Sequence, residues 1–195
     1  MKRIAEAVRN TKETRITMKF CVDGSGQYKI STGIGFLDHM LELFTRHGMF
    51  DLEIECIGDT HVDAHHSVED VGIVLGQCIK EALGEKNSIR RYGSMLLPMD
   101  EVLAMAALDL GGRPFLAYNA AFSSKMVGDM DTELTEEFFR AVAVNAGMNL
   151  HIRLLDGGNS HHVCEAIFKA FAKALDMATM TDERIDGVMS TKGRI

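Results

Sequence analysis

The sequence predicts an α+β fold in which one ββαβα-type unit occurs twice, over roughly residues 1–92 and 93–195, within a single domain. Two observations carry this. The order strand, strand, helix, strand, helix can be read in both halves, and an HHxxE segment stands at the start of the last helix of each. The spacing agrees: His39 and His65 are 26 positions apart, and Glu137 and His161 are 24 apart. Such self-similarity is the mark of a duplication, and two copies are expected to pack into one α+β unit about a pseudo-twofold axis.

In the first half, residues 14–22 alternate polar and apolar side chains, the period of a half-buried strand. Asp23-Gly24-Ser25-Gly26 reads as a turn, and residues 27–32 as the return strand of a hairpin. Gly35-Phe36-Leu37-Asp38 enters a helix whose apolar stripe is Met40, Leu41 and Phe44, ended by Gly48. Residues 51–57 form the next strand. The first HHxxE then opens a helix carrying Val71, Leu75, Ile79 and Leu83. In the second half, 102–110 reads as a strand and 114–119 as its return strand. A helix over 133–146 ends at Gly147, a strand covers 150–154, and the second HHxxE opens the final helix. The tail, 181–195, lacks an apolar period.

Composition narrows the function. Hydrophobic residues make up 46% and charged residues 25%, as in globular proteins. A net charge of −7 and a pI near 5.6 argue against a nucleic-acid partner, which needs many cations to displace counterions. No apolar run approaches the roughly 18 residues of a membrane span. The basic start, Lys2-Arg3, lacks an apolar h-region, so a cytoplasmic protein is expected. Cys21, Cys56, Cys78 and Cys164 form no CxxC pair and read as reduced, buried thiols.

The chemistry lies in His65-His66-Ser67-Val68-Glu69 and His161-His162-Val163-Cys164-Glu165. Positions i and i+4 share a helix face, so His65 with Glu69, and His161 with Glu165, can each hold one divalent ion. His66 and His162 lie about 100° round the helix and point to a second site. Each ion could then take a His/Glu pair from one half and the neighbouring histidine from the other. Imidazole with carboxylate and no thiolate suits Mn, Fe, Co, Ni or Zn. His39 and Glu137 occupy equivalent places on the preceding helices and are candidate fourth ligands. Glu137 also reads as part of an acidic solvated face with Glu133 and Glu136, and His39 as an outer partner. Cations near turns and helix starts, Arg91, Arg113, Lys169 and Lys192, fit a phosphate-like anion together, although each alone reads as a surface charge.

Gly35-Phe36-Leu37-Asp38-His39-Met40-Leu41, the run from His61 to Gly72, and Asn159-Ser160-His161-His162 through Glu165 to Phe171 resemble the signatures of the imidazoleglycerol-phosphate dehydratase family. The resemblance runs from about Arg3 to Gly193. It implies helices sandwiched between two mostly antiparallel sheets, in the ribosomal-protein-domain-2-like manner. It also implies trimers assembled into a homo-oligomer of 24 subunits, and two Mn²⁺ per active site with ligands shared between subunits. By motif, His39, His66, His161 and Glu165 would hold one ion, and His65, Glu69 and His162 the other. Glu137 falls where many members have histidine. Arg91, Arg113, Lys169, Ser190, Thr191 and Lys192 would surround the substrate phosphate, with Glu13 and His47 beside the substrate. The implied reaction is dehydration of imidazole glycerol phosphate to imidazole acetol phosphate in histidine biosynthesis, by way of a metal-bound imidazolate and a diazafulvene-like species. Glu13 is the first candidate for proton transfer and His47 the second. Two rivals remain at this stage: a dinuclear phosphoesterase, and a metal-stapled shell without turnover.

Overall fold

Alternation of apolar and polar residues builds two four-stranded sheets, each with one face buried under helices. The computed structural model describes residues 2–195; Met1, at the head of the stretch read for an export signal, lies outside them. The first half contains β1 (Ile4–Asn10), β2 (Thr14–Cys21), β3 (Tyr28–Ser31), α1 (Gly35–Gly48), β4 (Asp51–Gly58) and α2 (His65–Leu83). The second contains β5 (Tyr92–Met99), β6 (Val102–Asp109), β7 (Phe115–Asn119), a small hairpin of β8 (Met126–Val127) and β9 (Met130–Asp131), α3 (Leu134–Ala146), β10 (Asn149–Asp156) and α4 (Ser160–Thr179). The sheet orders are β1-β2-β4-β3 and β5-β6-β10-β7, the same topology twice. The duplicated α+β unit is therefore present as expected.

The two hairpins expected from the sequence do not form. β3 pairs in parallel with β4, Tyr28 opposite Leu52, and β7 pairs in parallel with β10, Phe115 opposite Asn149. A parallel pair needs a crossover, and α1 supplies it in the first half as α3 does in the second. The antiparallel neighbour of β2 is instead β1, and that of β6 is β5. Neither strand is evident from the sequence, because both patterns are weak. On β1 only Ala5 is fully buried, and β5 contains Pro98, which is tolerated because β5 lies at a sheet edge.

The helices fill the space between the sheets. α2 lies on β1 and β2, α4 lies on β5 and β6, and across the middle α2 meets α3 while α1 meets α4. Gly72 and Gly76 let α2 approach α3: a Cβ at Gly72 would sit 2.8 Å from the Phe138 carbonyl oxygen, and one at Gly76 2.7 Å from that of Val142. Phenylalanines knit three helices, with ring centroids 5.6 Å apart for Phe44–Phe171, 5.3 Å for Phe139–Phe171 and 4.8 Å for Phe139–Phe168. All four cysteines are unpaired and buried, and burial pushes the Cys78 and Cys164 thiols up to about 12. Among the described residues no helix is long and apolar enough to cross a membrane.

Phe139 is fully buried at the centre of this ring cluster. Phe139→Ala is expected to cost about 3–5 kcal/mol, as a large-to-small change that leaves a cavity. Urea denaturation followed by circular dichroism measures it, and a loss below about 1 kcal/mol would mean that the cluster collapses around the gap.

Candidate metal centre and anion groove

The ligand candidates lie within the first six residues of their helices: His39 on α1, His65, His66 and Glu69 on α2, Glu137 on α3, and His161, His162 and Glu165 on α4. Each HHxxE is preceded, two residues before its first histidine, by a side-chain acceptor for that histidine's N–H. Asp63 Oδ1 accepts the His65 N–H at 2.8 Å, and Asn159 Oδ1 accepts that of His161 at 2.8 Å. At α1 the flanking residue is Ile34, which has no capping side chain. Asp129, in the β8–β9 turn of the other half, accepts instead from the N–H groups of Gly35 (2.7 Å) and Phe36 (2.9 Å).

α1 and α4 bring His39, His161 and Glu165 into one group, with a ligand atom from each within 4.8 Å of the others. Glu165 Oε1 lies 3.0 Å from His39 Nε2 and 3.1 Å from His161 Nε2, and Oε2 accepts from Lys169 Nζ at 2.6 Å. Burial alone would raise the Glu165 carboxyl; hydrogen bonds from Lys169 and the two imidazoles outweigh it and hold the pKa at about 2. His47, further along α1, faces the same neighbourhood. Burial first, then the charges of Lys169 and Lys173, lower its pKa below 6.5, so the ring is neutral at pH 7.

The corresponding residues of α2 and α3 are more open. His65 Nε2 is 3.8 Å from Glu69 Oε2, both side chains being 46% exposed. His65 and Glu137 line one hollow of about 590 Å³ together with Tyr118, Ser123 and Glu133, while Glu137 Oε2 lies 3.5 Å from Arg140 Nε. Glu137 thus belongs to an acidic face and also borders the hollow that His65 enters.

The second histidines do not join the pairs of the other half, as the sequence reading had it for a single chain. His66 Nδ1 lies 3.0 Å from Asp59 Oδ2, and His162 Nδ1 lies 2.9 Å from Glu101 Oε2. Each is turned round its helix and clipped by a carboxylate, so neither enters the His39–His161–Glu165 group. The carboxylate hydrogen bond raises the pKa of each ring. Glu13 sits on the β1–β2 loop beside His66, its backbone carbonyl accepting from Asp59 N–H at 3.1 Å.

A second assembly forms where the tail folds back on the segment joining the halves. Ser88 N–H donates to Gly187 O at 2.7 Å and Arg90 N–H to Met180 O at 2.9 Å. Arg91, Arg113, Ser190, Thr191 and Lys192 then line one groove of about 640 Å³. Arg194 joins them, a cation missed for want of any pattern in the tail. Arg91 is already occupied: its guanidinium donates to Asp109 Oδ1 (2.6 Å) and Oδ2 (3.0 Å), and to Met189 O at 2.6 Å. It holds the tail in position. Lys169 is not in this groove; Glu165 claims it.

Because the folded Glu165 pKa lies below the ordinary 4.5, its stabilisation is present above pH 4.5 and is lost as the pH falls toward 2. In EDTA-treated protein, Glu165→Gln should therefore flatten the dependence of urea midpoint on pH across that window. An unchanged slope would show that other carboxylates carry the acid transition. Arg91→Ala removes a charge-assisted bond of about 1.5–3 kcal/mol to the tail, so amide exchange near Ser190 should quicken roughly tenfold or more. Mass-detected hydrogen exchange reads this directly, and unaltered protection would mean that the backbone bonds at Ser88 and Arg90 suffice.

Comparison with known proteins agrees with this geometry. Residues 32–175 match the family model of imidazoleglycerol-phosphate dehydratase. Proteins of that name from Acetivibrio thermocellus and Lachnoclostridium phytofermentans are each 60% identical over 195 residues, covering 100% of both chains. The crystal structure of imidazoleglycerol-phosphate dehydratase from Staphylococcus aureus has a TM-score of 0.84 at 46% identity, covering 92% of this chain and 99% of that one. That from Pyrococcus furiosus has a TM-score of 0.84 at 33% identity, covering 97% and 100%. With four helices between two sheets and histidine–carboxylate groups at the helix starts, the chain belongs to the imidazoleglycerol-phosphate dehydratase family, lyases of histidine biosynthesis.

Proposed function

We propose that this chain, one catalytic domain of two repeats acting in the cytoplasm, converts imidazole glycerol phosphate to imidazole acetol phosphate and water. It does so with two Mn²⁺ per active site, in sites shared between copies of a 24-subunit shell built from trimers. The observation that carries this is the His39–His161–Glu165 group, two imidazoles and a carboxylate with ligand atoms within 4.8 Å of one another. This donor set, free of thiolate, fits manganese. His39, His161 and Glu165, with His66 of a neighbouring copy, would hold one ion. His65, Glu69 and Glu137, with a neighbour's His162, would hold the other. Sharing is supported by the way His66 and His162 turn away from the ligand pairs of their own chain.

When bound, the ions supply Lewis acidity to the ring nitrogens of the substrate and a fixed template for it. The remaining work falls to the chain. Arg113, Ser190, Thr191 and Lys192 bind the phosphate in a groove that Arg91 keeps folded, and Lys169 adds positive charge from the side of Glu165. The imidazole N–H gives up its proton, and the hydroxyl on the carbon next to the ring takes up a proton and leaves as water, driven by the electron pair of the deprotonated ring, which gives a diazafulvene-like intermediate. Loss of a proton from the adjacent carbon then forms an enol, and the enol tautomerises to the ketone. Glu13 takes that carbon proton, and neutral His47 is the second proton carrier.

The test is an assay with imidazole glycerol phosphate on EDTA-stripped protein, before and after Mn²⁺ is added. Turnover restored by the metal supports the reading; release of inorganic phosphate instead of the keto phosphate would replace it with a phosphoesterase. Glu13→Gln should lower kcat by about 10²–10⁴-fold with KM and bound Mn²⁺ unchanged. An unaltered kcat would remove Glu13 from the reaction.

A further inference from the structure

Each half carries a glutamate immediately before its second strand, Glu13 before β2 and Glu101 before β6. The repeated topology makes these two positions equivalents, and each stands beside the second histidine of its HHxxE segment. Their engagement differs. The Glu13 carboxylate has no hydrogen bond or ion pair among the described residues, the Glu13 bonds being those of its backbone. Both oxygens of Glu101 are used. Oε1 accepts the Asn159 N–H at 2.7 Å, and Oε2 lies 2.9 Å from His162 Nδ1. The fold makes room for this reach: a Cβ at Gly158 would lie 2.2 Å from Glu101 Oε1. Glu101 therefore spans from the β5–β6 turn to the start of α4, gripping both the loop backbone and the ring.

An ionised carboxylate only accepts hydrogen bonds, so the ring proton of neutral His162 sits on Nδ1 and the lone pair on Nε2. Asp100 Oδ2 lies 3.9 Å from Nε2, beyond hydrogen-bond reach, and its side chain is 71% exposed. We propose that Glu101 is a positioning residue for metal binding: it fixes His162 in the tautomer and orientation that present Nε2 to an ion, while the duplicate position, Glu13, stays free for proton transfer. This rests on the reading that His162 ligates metal. An outer carboxylate of this kind sharpens ligand orientation and basicity, and its loss weakens metal affinity by about 10–100-fold.

Manganese titration of the assembled protein, followed by electron paramagnetic resonance of the free ion, tests this without using turnover. Wild type should bind two ions per chain. Glu101→Gln keeps the side-chain shape but one carbonyl acceptor instead of two; one class of site should weaken by about 10–100-fold and the other should not move. Glu101→Asp, which draws the carboxylate back by one methylene, should fall between, and it carries the test if the glutamine variant does not fold. In a His162→Ala background, Glu101→Gln should weaken the residual affinity of that site no further. The proposal is overturned if both classes keep their wild-type affinity in folded variants, or if the loss adds in full to that of His162→Ala, which would make Glu101 a loop brace. It is equally overturned if a third ion disappears, which would make Asp100, Glu101 and His162 a site of their own. Wild-type protein that binds no manganese would instead sink the metal reading itself, and this inference with it.

Discussion

Glu165 is the constraint on which the centre of the molecule depends. It lies at the seam between α1 and α4, largely buried, and accepts from an imidazole of each helix and from Lys169 one turn further on. A buried carboxylate without such partners would cost several kcal/mol or take up a proton. With them it is held ionised, and it fixes the angle at which the two helix starts meet. Packing beneath the seam reinforces the same angle, since Phe44 of α1 stacks on Phe171 of α4 at 5.6 Å.

Duplication explains why the chemistry sits at helix starts. A repeated unit that packs its helices face to face brings corresponding ends together twice. The two copies have not stayed alike. His39 corresponds to Glu137, so one seam offers two imidazoles and a carboxylate, and the other one imidazole and two carboxylates. The first is closed by Lys169 and the second opens on a hollow edged by Glu133 and Glu137. Under the proposed function, two ions acting on one ring would therefore feel unequal fields from near-symmetric surroundings.

Much of this was legible in the chain. The helices carry strong 3.6-residue patterns and appeared where expected, as did β2, β4 and β6, whose alternation is clean. Pairing partners were not legible, because alternation fixes which face of a strand is buried and says nothing about its neighbour. Hence the sequence points to hairpins for β3 and β7, when each pairs in parallel across a helix. Among the site residues, the His/Glu pairs follow from helical spacing alone. The clips on His66 and His162 do not, since Asp59 and Glu101 reach those rings from other elements. The anion groove was legible in the residues only as scattered cations suited to a phosphate; family likeness gave them one common purpose, because they lie in segments without periodicity.

Asp129 gives the duplication a direction. Its carboxylate reaches from the β8–β9 insertion of the second half and closes the open end of α1 in the first, a service that, among the described residues, nothing in the first half returns. A synthetic tandem of two first halves would leave both copies of that helix without this cap on the turn just before His39. The modern chain is thus no longer two interchangeable modules: the insertion acts as a ratchet, after which the first half could not be separated or recopied without loss.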